Sequence, residues 1–124
     1  MVFFVYLLLF SNGKIYVGMS RVDKKGLYTT RYRGHARDAR VGKRLPVYDA
    51  WREFGPPEQI ILSEHPTREE GAEAEIEMIY LLGATNRSKG YNIQEGGQGL
   101  HAPKGTPIHE HMRKKVWENP ERNA

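Results

Sequence analysis

The chain contains no cysteine, so neither a disulfide framework nor a thiolate zinc site is open to it, and its composition suits a reducing cytoplasm. No apolar run is long enough to span a membrane; the N-terminal stretch Phe3 to Phe10 also lacks a charged leader and a small-residue cleavage site, so a signal peptide is not expected. There is no internal repeat. The glycines of Glu95-Gly96-Gly97-Gln98-Gly99 have no strand-to-helix context that would make them a phosphate cradle, and they read as the end of the compact part. What remains after these exclusions is one small globular domain, because 124 residues with 39% hydrophobic content can bury a single modest core.

That core is organised around a hairpin. Phe3 to Phe10 reads as a strand buried on both faces, Ser11-Asn12-Gly13 turns the chain, and Lys14 to Met19 alternates, with Lys14, Tyr16 and Gly18 on one side and Ile15, Val17 and Met19 on the other. Loop length decides whether Tyr6 and Tyr16 meet. A two-residue Asn12-Gly13 turn would pair Ser11 with Lys14 and put the tyrosines on opposite faces. A three-residue loop with Gly13 left-handed pairs Phe10 with Lys14 and brings both to one face, and this register is the one expected.

Downstream, Leu27 to Arg40 reads as a helix with Thr29 or Thr30 as cap, carrying Arg31, His35 and Asp38 on one stripe while Arg33, Arg37 and Arg40 point elsewhere. Leu45 to Phe54 is a second helix, with Pro46 in its first turn and Val47, Ala50, Trp51 and Phe54 on its apolar side. Gln59 to Ser63 is a third strand beside the hairpin. The Thr67 and Glu70 pair starts a third helix that runs to Leu82 and stops at Gly83. In it Glu75 borders the apolar side, whereas Glu77, about 200° further round, aligns with Glu73 and Leu81. The expected fold is therefore α/β in composition (α+β), a small, mainly antiparallel three-stranded sheet flanked by helices. Residues 1–97 form the domain, and 98–124 form a glycine-containing linker and basic tail in which 108–118 could be helical.

Net charge is only +4, but it is unevenly placed. Nine of the 19 Lys and Arg residues lie between Arg21 and Arg44, against Asp23 and Asp38 alone, while Glu58 to Glu77 holds seven glutamates and one arginine. A basic stretch interleaved with Tyr28 and Tyr32 is what a phosphate backbone attracts.

Phe4-Val5-Tyr6, followed by Tyr16-Val17-Gly18, resembles the paired signature of the GIY-YIG nuclease family, which usually has Gly where this chain has Phe4. Arg31 with His35 resembles the Arg-x-x-x-His helix after that hairpin, Glu75 to Ile79 the family's glutamate helix, and Gly90-Tyr91-Asn92 with Gly96-Gly97 the ending of phage-type and intron-type, homing-endonuclease-like members. The order is kept across residues 4 to 97.

The resemblance implies a GIY-YIG-like fold, metal-dependent cleavage of DNA, and a site built from Tyr6, Tyr16, Arg31, His35, Glu75 and Asn92. In that site Glu75 would be the ligand of Mg²⁺ or Mn²⁺, a hard oxygen donor that leaves most of the metal shell to water and phosphate. Arg31 would hold phosphate oxygens in a fork. A tyrosine, oriented by His35, would relay the proton of the attacking water. DNA contacts are expected from Lys14, Arg33, Arg37, Arg40, Lys43 and Arg44, and from Arg113, Lys114 and Lys115 of the tail.

Larger members carry a separate DNA-binding domain, whereas 25 residues follow Gly99 here. Specificity is then expected from the domain itself, the tail, a second copy in a homodimer, or a partner protein. Membrane partners are not expected; the expected location is the cytoplasm, or the host cytoplasm for a phage-encoded chain. Two further readings fit the same residues: a module that keeps the basic surface without catalysis, and a structural nucleic-acid protein whose tyrosines stack on bases.

Overall fold

Strand β1 (Phe3–Leu9) takes the centre of the sheet, since almost every side chain it carries is apolar and only a strand with neighbours on both edges and layers on both faces can bury such a run. In the computed structural model, which describes residues 2–94, it pairs antiparallel with β2 (Ile15–Arg21) on one edge and β3 (Glu58–His65) on the other. The sheet order is β2-β1-β3. Helices α1 (Thr30–Arg40), α2 (Pro46–Phe54) and α3 (Arg68–Leu82) complete a small α+β domain.

The hairpin turns through three residues. Phe10 N donates to Lys14 O at 3.0 Å, Gly13 N to Phe10 O at 2.9 Å, and Gly13 has φ 85°, a conformation that a residue with a Cβ adopts only with strain. Leu8 consequently faces Tyr16 and Tyr6 faces Gly18, which places both tyrosines on one side of the sheet, in the register expected from sequence.

That side is covered by α1 and α2, where Phe4, Tyr6, Leu8 and Phe10 pack with Ala39, Val47, Tyr48, Ala50 and Trp51. The opposite side is covered by α3, and its core is Val5, Val17, Ile79 and Ala84. Phe4 fills space between Tyr6 and Tyr28, whose ring centroids lie 5.8 and 5.0 Å away.

Several boundaries differ from the sequence expectation, each for a tertiary reason. Helix α1 starts at Thr30 rather than Leu27, because the Asp23 carboxylate accepts from the backbone N–H groups of Lys25 and Leu27 and from the Thr30 hydroxyl, holding that stretch as a turn. Phe54 ends α2 as an exposed residue, at 38%, so the apolar side of α2 stops at Trp51. Strand β3 is longer than Gln59 to Ser63, since pairing along the whole of β1 extends it in both directions, with a bulge opposite Val5 and Tyr6. Helix α3 has its expected limits: the Thr67 hydroxyl accepts from Glu70 N at 3.1 Å and Gly83 closes the helix at φ 65°.

After α3 the chain returns to the outer edge of β2, where Gly90 forms a parallel bridge with Ile15 and Tyr91 N donates to Ile15 O at 2.9 Å. Among the described residues no helix is long and apolar enough to cross a membrane. The expected domain end at 97, the linker and tail 98–124, and the basic residues Arg113, Lys114 and Lys115 lie outside the described residues.

Candidate active site

Gly18 opens the site. A side chain there would overlap the phenol of Tyr6, its cross-strand partner, so the missing Cβ is what lets the Tyr6 ring lie across β2. Tyr6 is almost fully buried, and its hydroxyl is 2.7 Å from Nε2 of His35, a residue of α1 with no exposed surface. His35 Nδ1 lies 2.9 Å from the Tyr48 hydroxyl of α2, which in turn donates to Asp38 Oδ2 at 3.3 Å. Four side chains thus form one hydrogen-bonded chain from the sheet to the surface of α1.

In front of Tyr6 is a cavity of about 370 Å³. Tyr6 and Tyr16 from the hairpin, Arg31 from α1, Tyr48 from α2, Glu75 from α3 and Asn92 from the returning segment all line it. Of the residues expected at the site, His35 alone is absent from the wall, because it stands behind Tyr6. Glu75 is buried with Ala72, Ile76 and Ile79, while Glu77 stays half-buried and away from the cavity, as the helix phase requires. Asn92 has a defined task. Its Oδ1 accepts from Val17 N at 2.9 Å and its Nδ2 donates to Val17 O at 2.7 Å, extending the sheet by one side chain and holding β2 between Tyr16 and Gly18.

The electrostatics of the wall follow from burial. Desolvation pushes the Tyr6 hydroxyl far above the usual phenol range, with Tyr16 adding to the rise and Arg31 opposing it. Tyr16 is raised by burial and then by Glu75, and Tyr48 is pushed up to about 12, again first by burial. His35 is pushed down to about 4 by burial and then by Arg31, so it is neutral at neutral pH. Arg31 is exposed on α1, and although the partial loss of water at its inner end favours the neutral form, the facing Tyr6, Tyr48 and Tyr16 hydroxyls and a hydrogen bond with Tyr6 outweigh it and the guanidinium is held charged.

The basic residues divide. Lys43 lines the cavity, with Nζ 3.8 Å from Asp38 Oδ2 and 5.8 Å from the centre of the Tyr48 ring. Lys14 lies over the Tyr91 ring at 5.8 Å. Arg33, Arg37, Arg40 and Arg44 are exposed outside the cavity, and Arg44 pairs with Asp49 at 3.0 Å.

No group of three or more His, Cys, Asp or Glu side chains that could hold a metal ion is present among the described residues. One carboxylate on the wall of a cavity of about 370 Å³ is a donor set of the kind Mg²⁺ uses, since that ion keeps several waters and takes few protein ligands alongside phosphate oxygens.

Tyr48 escapes the sequence reading. It is buried in the core beside Val47, and the only signal it offers is general: a tyrosine inside a core needs a partner for its hydroxyl. Which partner depends on how α1 and α2 pack, a fact carried by no local motif. Compared with known proteins, the chain matches no family model, no curated protein and no solved structure.

Proposed function

We propose that this protein is a metal-dependent endonuclease that hydrolyses phosphodiester bonds of DNA in the cavity between the hairpin, α1 and α3. The observation that carries the reading is that one cavity gathers a permanent cation, a carboxylate and two phenols from four separate elements. Phosphodiester hydrolysis calls for those groups together: positive charge on the phosphate, a ligand for a divalent ion, and a route for the proton of the attacking water.

Arg31 takes the phosphate oxygens, and its charge is secured by the surrounding hydroxyls. Glu75 is the residue that would hold Mg²⁺ or Mn²⁺, which when bound supplies positive charge where the phosphate and leaving oxygen become more negative. Tyr6 handles the proton. A phenol so strongly raised does not ionise on its own at neutral pH, so it serves as a base only by passing its proton to a neighbour while accepting another. His35 Nε2, at 2.7 Å, is that neighbour. Tyr16, on the neighbouring strand, lines the same wall and orients water and phosphate, and Asn92 keeps that strand in place. The exposed Arg33, Arg37 and Arg40 of α1 extend a positive surface away from the cavity along which a duplex backbone can lie.

The test is to incubate purified protein with mixed-sequence linear DNA and Mg²⁺ and to sequence every new end. Ends that accumulate with time and require the divalent ion support the reading. Tight, salt-sensitive binding without new ends in Mg²⁺ or Mn²⁺ would make the protein a binding module.

A further inference from the structure

We infer that Asp38 and Tyr48 are positioning residues that hold His35 as the Nδ1–H tautomer, so that Tyr6 turns its oxygen, which also accepts from Arg31, and not its proton, to the cavity. The inference rests on the nuclease reading for its purpose but not for its geometry.

Hydrogen-bond direction follows from the outer end of the chain inward. A carboxylate only accepts, so at the 3.3 Å contact with Asp38 Oδ2 the single proton of Tyr48 points to Asp38. Tyr48 then has no proton left for His35 and can only accept at the 2.9 Å contact, which requires the hydrogen on Nδ1. A neutral imidazole carries one N–H, so Nε2 is bare, and at 2.7 Å it takes the proton of Tyr6. Every donor along the chain meets an acceptor. Water is no substitute for any of these partners around His35, which has no exposed surface. Of the charged groups nearby, Arg31 acts against the charged imidazole, while Lys43 lies 3.8 Å from the same Asp38 oxygen and leaves Tyr48 as its link to the buried ring.

The alternative tautomer shows why this matters. With the hydrogen on Nε2, His35 would donate to Tyr6, and the Tyr6 proton would turn to the cavity, where it could reach a phosphate but could not receive a proton from water. With the hydrogen on Nδ1, the exchange balances. A water O–H bond breaks as a Tyr6 O–H bond forms, while the original Tyr6 O–H bond breaks as Nε2–H forms. The hydroxide is left to attack phosphorus, and the imidazolium faces Asp38 through the Tyr48 hydroxyl.

The tautomer is read directly from nitrogen and proton NMR of protein labelled at histidine, at neutral pH with neither DNA nor metal. The wild type is expected to show His35 protonated at Nδ1. Tyr48→Phe keeps the ring and removes the acceptor, so it is expected to move the proton to Nε2 and to lower kcat on the order of a hundredfold with KM unchanged. Asp38→Ala, which frees the Tyr48 proton to turn inward, is expected to populate Nε2–H as well. A wild-type His35 protonated at Nε2 overturns the inference, and so does a Tyr48→Phe protein that keeps both the Nδ1 proton and the wild-type kcat. A protein with the expected tautomers that cuts no DNA upholds this assignment and overturns the nuclease reading alone.

Discussion

The two faces of the sheet are packed by different chemistry. On the α3 face the core is aliphatic, with Val5, Val17, Ile79 and Ala84 buried together and stable by exclusion of water alone. On the α1 and α2 face the core is aromatic and carries Tyr6, His35 and Tyr48, whose polar atoms are affordable there only because each meets a partner. Neither face makes the site by itself. The cations Arg31 and Lys43 come from the α1 and α2 side, and the carboxylate Glu75 from α3, so opposite charges reach one cavity from opposite layers.

The comparison can be tested from either side, beginning with the change of largest effect. Glu75→Gln removes the α3 contribution and is expected to cut metal-dependent cleavage on the order of a thousandfold while the melting temperature stays close to wild type. Arg31→Ala removes the α1 contribution. It is expected to lower kcat on the order of a hundredfold with a smaller loss of DNA affinity, since many basic residues share binding; equal losses in rate and affinity across a salt series would make Arg31 an ordinary backbone contact.

Asn92→Ala tests the shared floor. It leaves the buried N–H and C=O of Val17 without their partner and is expected to lower the unfolding free energy by about 3 kcal/mol, measured by urea denaturation.

A subtler signature belongs to the polar face. His35 is held down to about 4 in the fold and returns to its ordinary range near 6.5 when the chain unfolds. Between those values the unfolded chain binds the proton and the folded chain does not, so this residue makes stability fall as pH drops from about 6.5 towards 4, by up to about 1.4 kcal/mol per pH unit. The difference between wild type and His35→Gln across that window isolates the slope. The smallest effect is reserved for Glu77→Gln, which lies off the cavity and is expected to cut at the wild-type rate. If it were the inactive variant instead, the metal-binding role assigned to Glu75 would be wrong.

Local signals account for what could be read from the chain in advance. The limits of α3 follow from Thr67 and Gly83, and the shared face of Tyr6 and Tyr16 follows from parity once Gly13 makes the loop three residues long. Tyr6, Tyr16, Arg31, Glu75 and Asn92 are named by resemblance to an ordered set of family motifs, each weak alone, and the fold brings them to one wall. Long-range contacts account for the rest. The start of α1 is set by an Asp23 side chain reaching forward, the length of β3 by its pairing with β1, and the link from His35 to Tyr48 and Asp38 by the packing of two helices. The paired amide of Asn92 belongs to the same class, since its partner Val17 lies in the second strand.

The most direct test of the central claim uses supercoiled plasmid, Mg²⁺, and two proteins: the wild type and the double variant Arg31→Ala, Glu75→Gln. The wild type is expected to relax or linearise the plasmid and to stop when the ion is chelated, and the double variant to leave it supercoiled although it melts cooperatively. A double variant that cuts as fast as the wild type, or a wild type that cuts equally well in chelator, would contradict it.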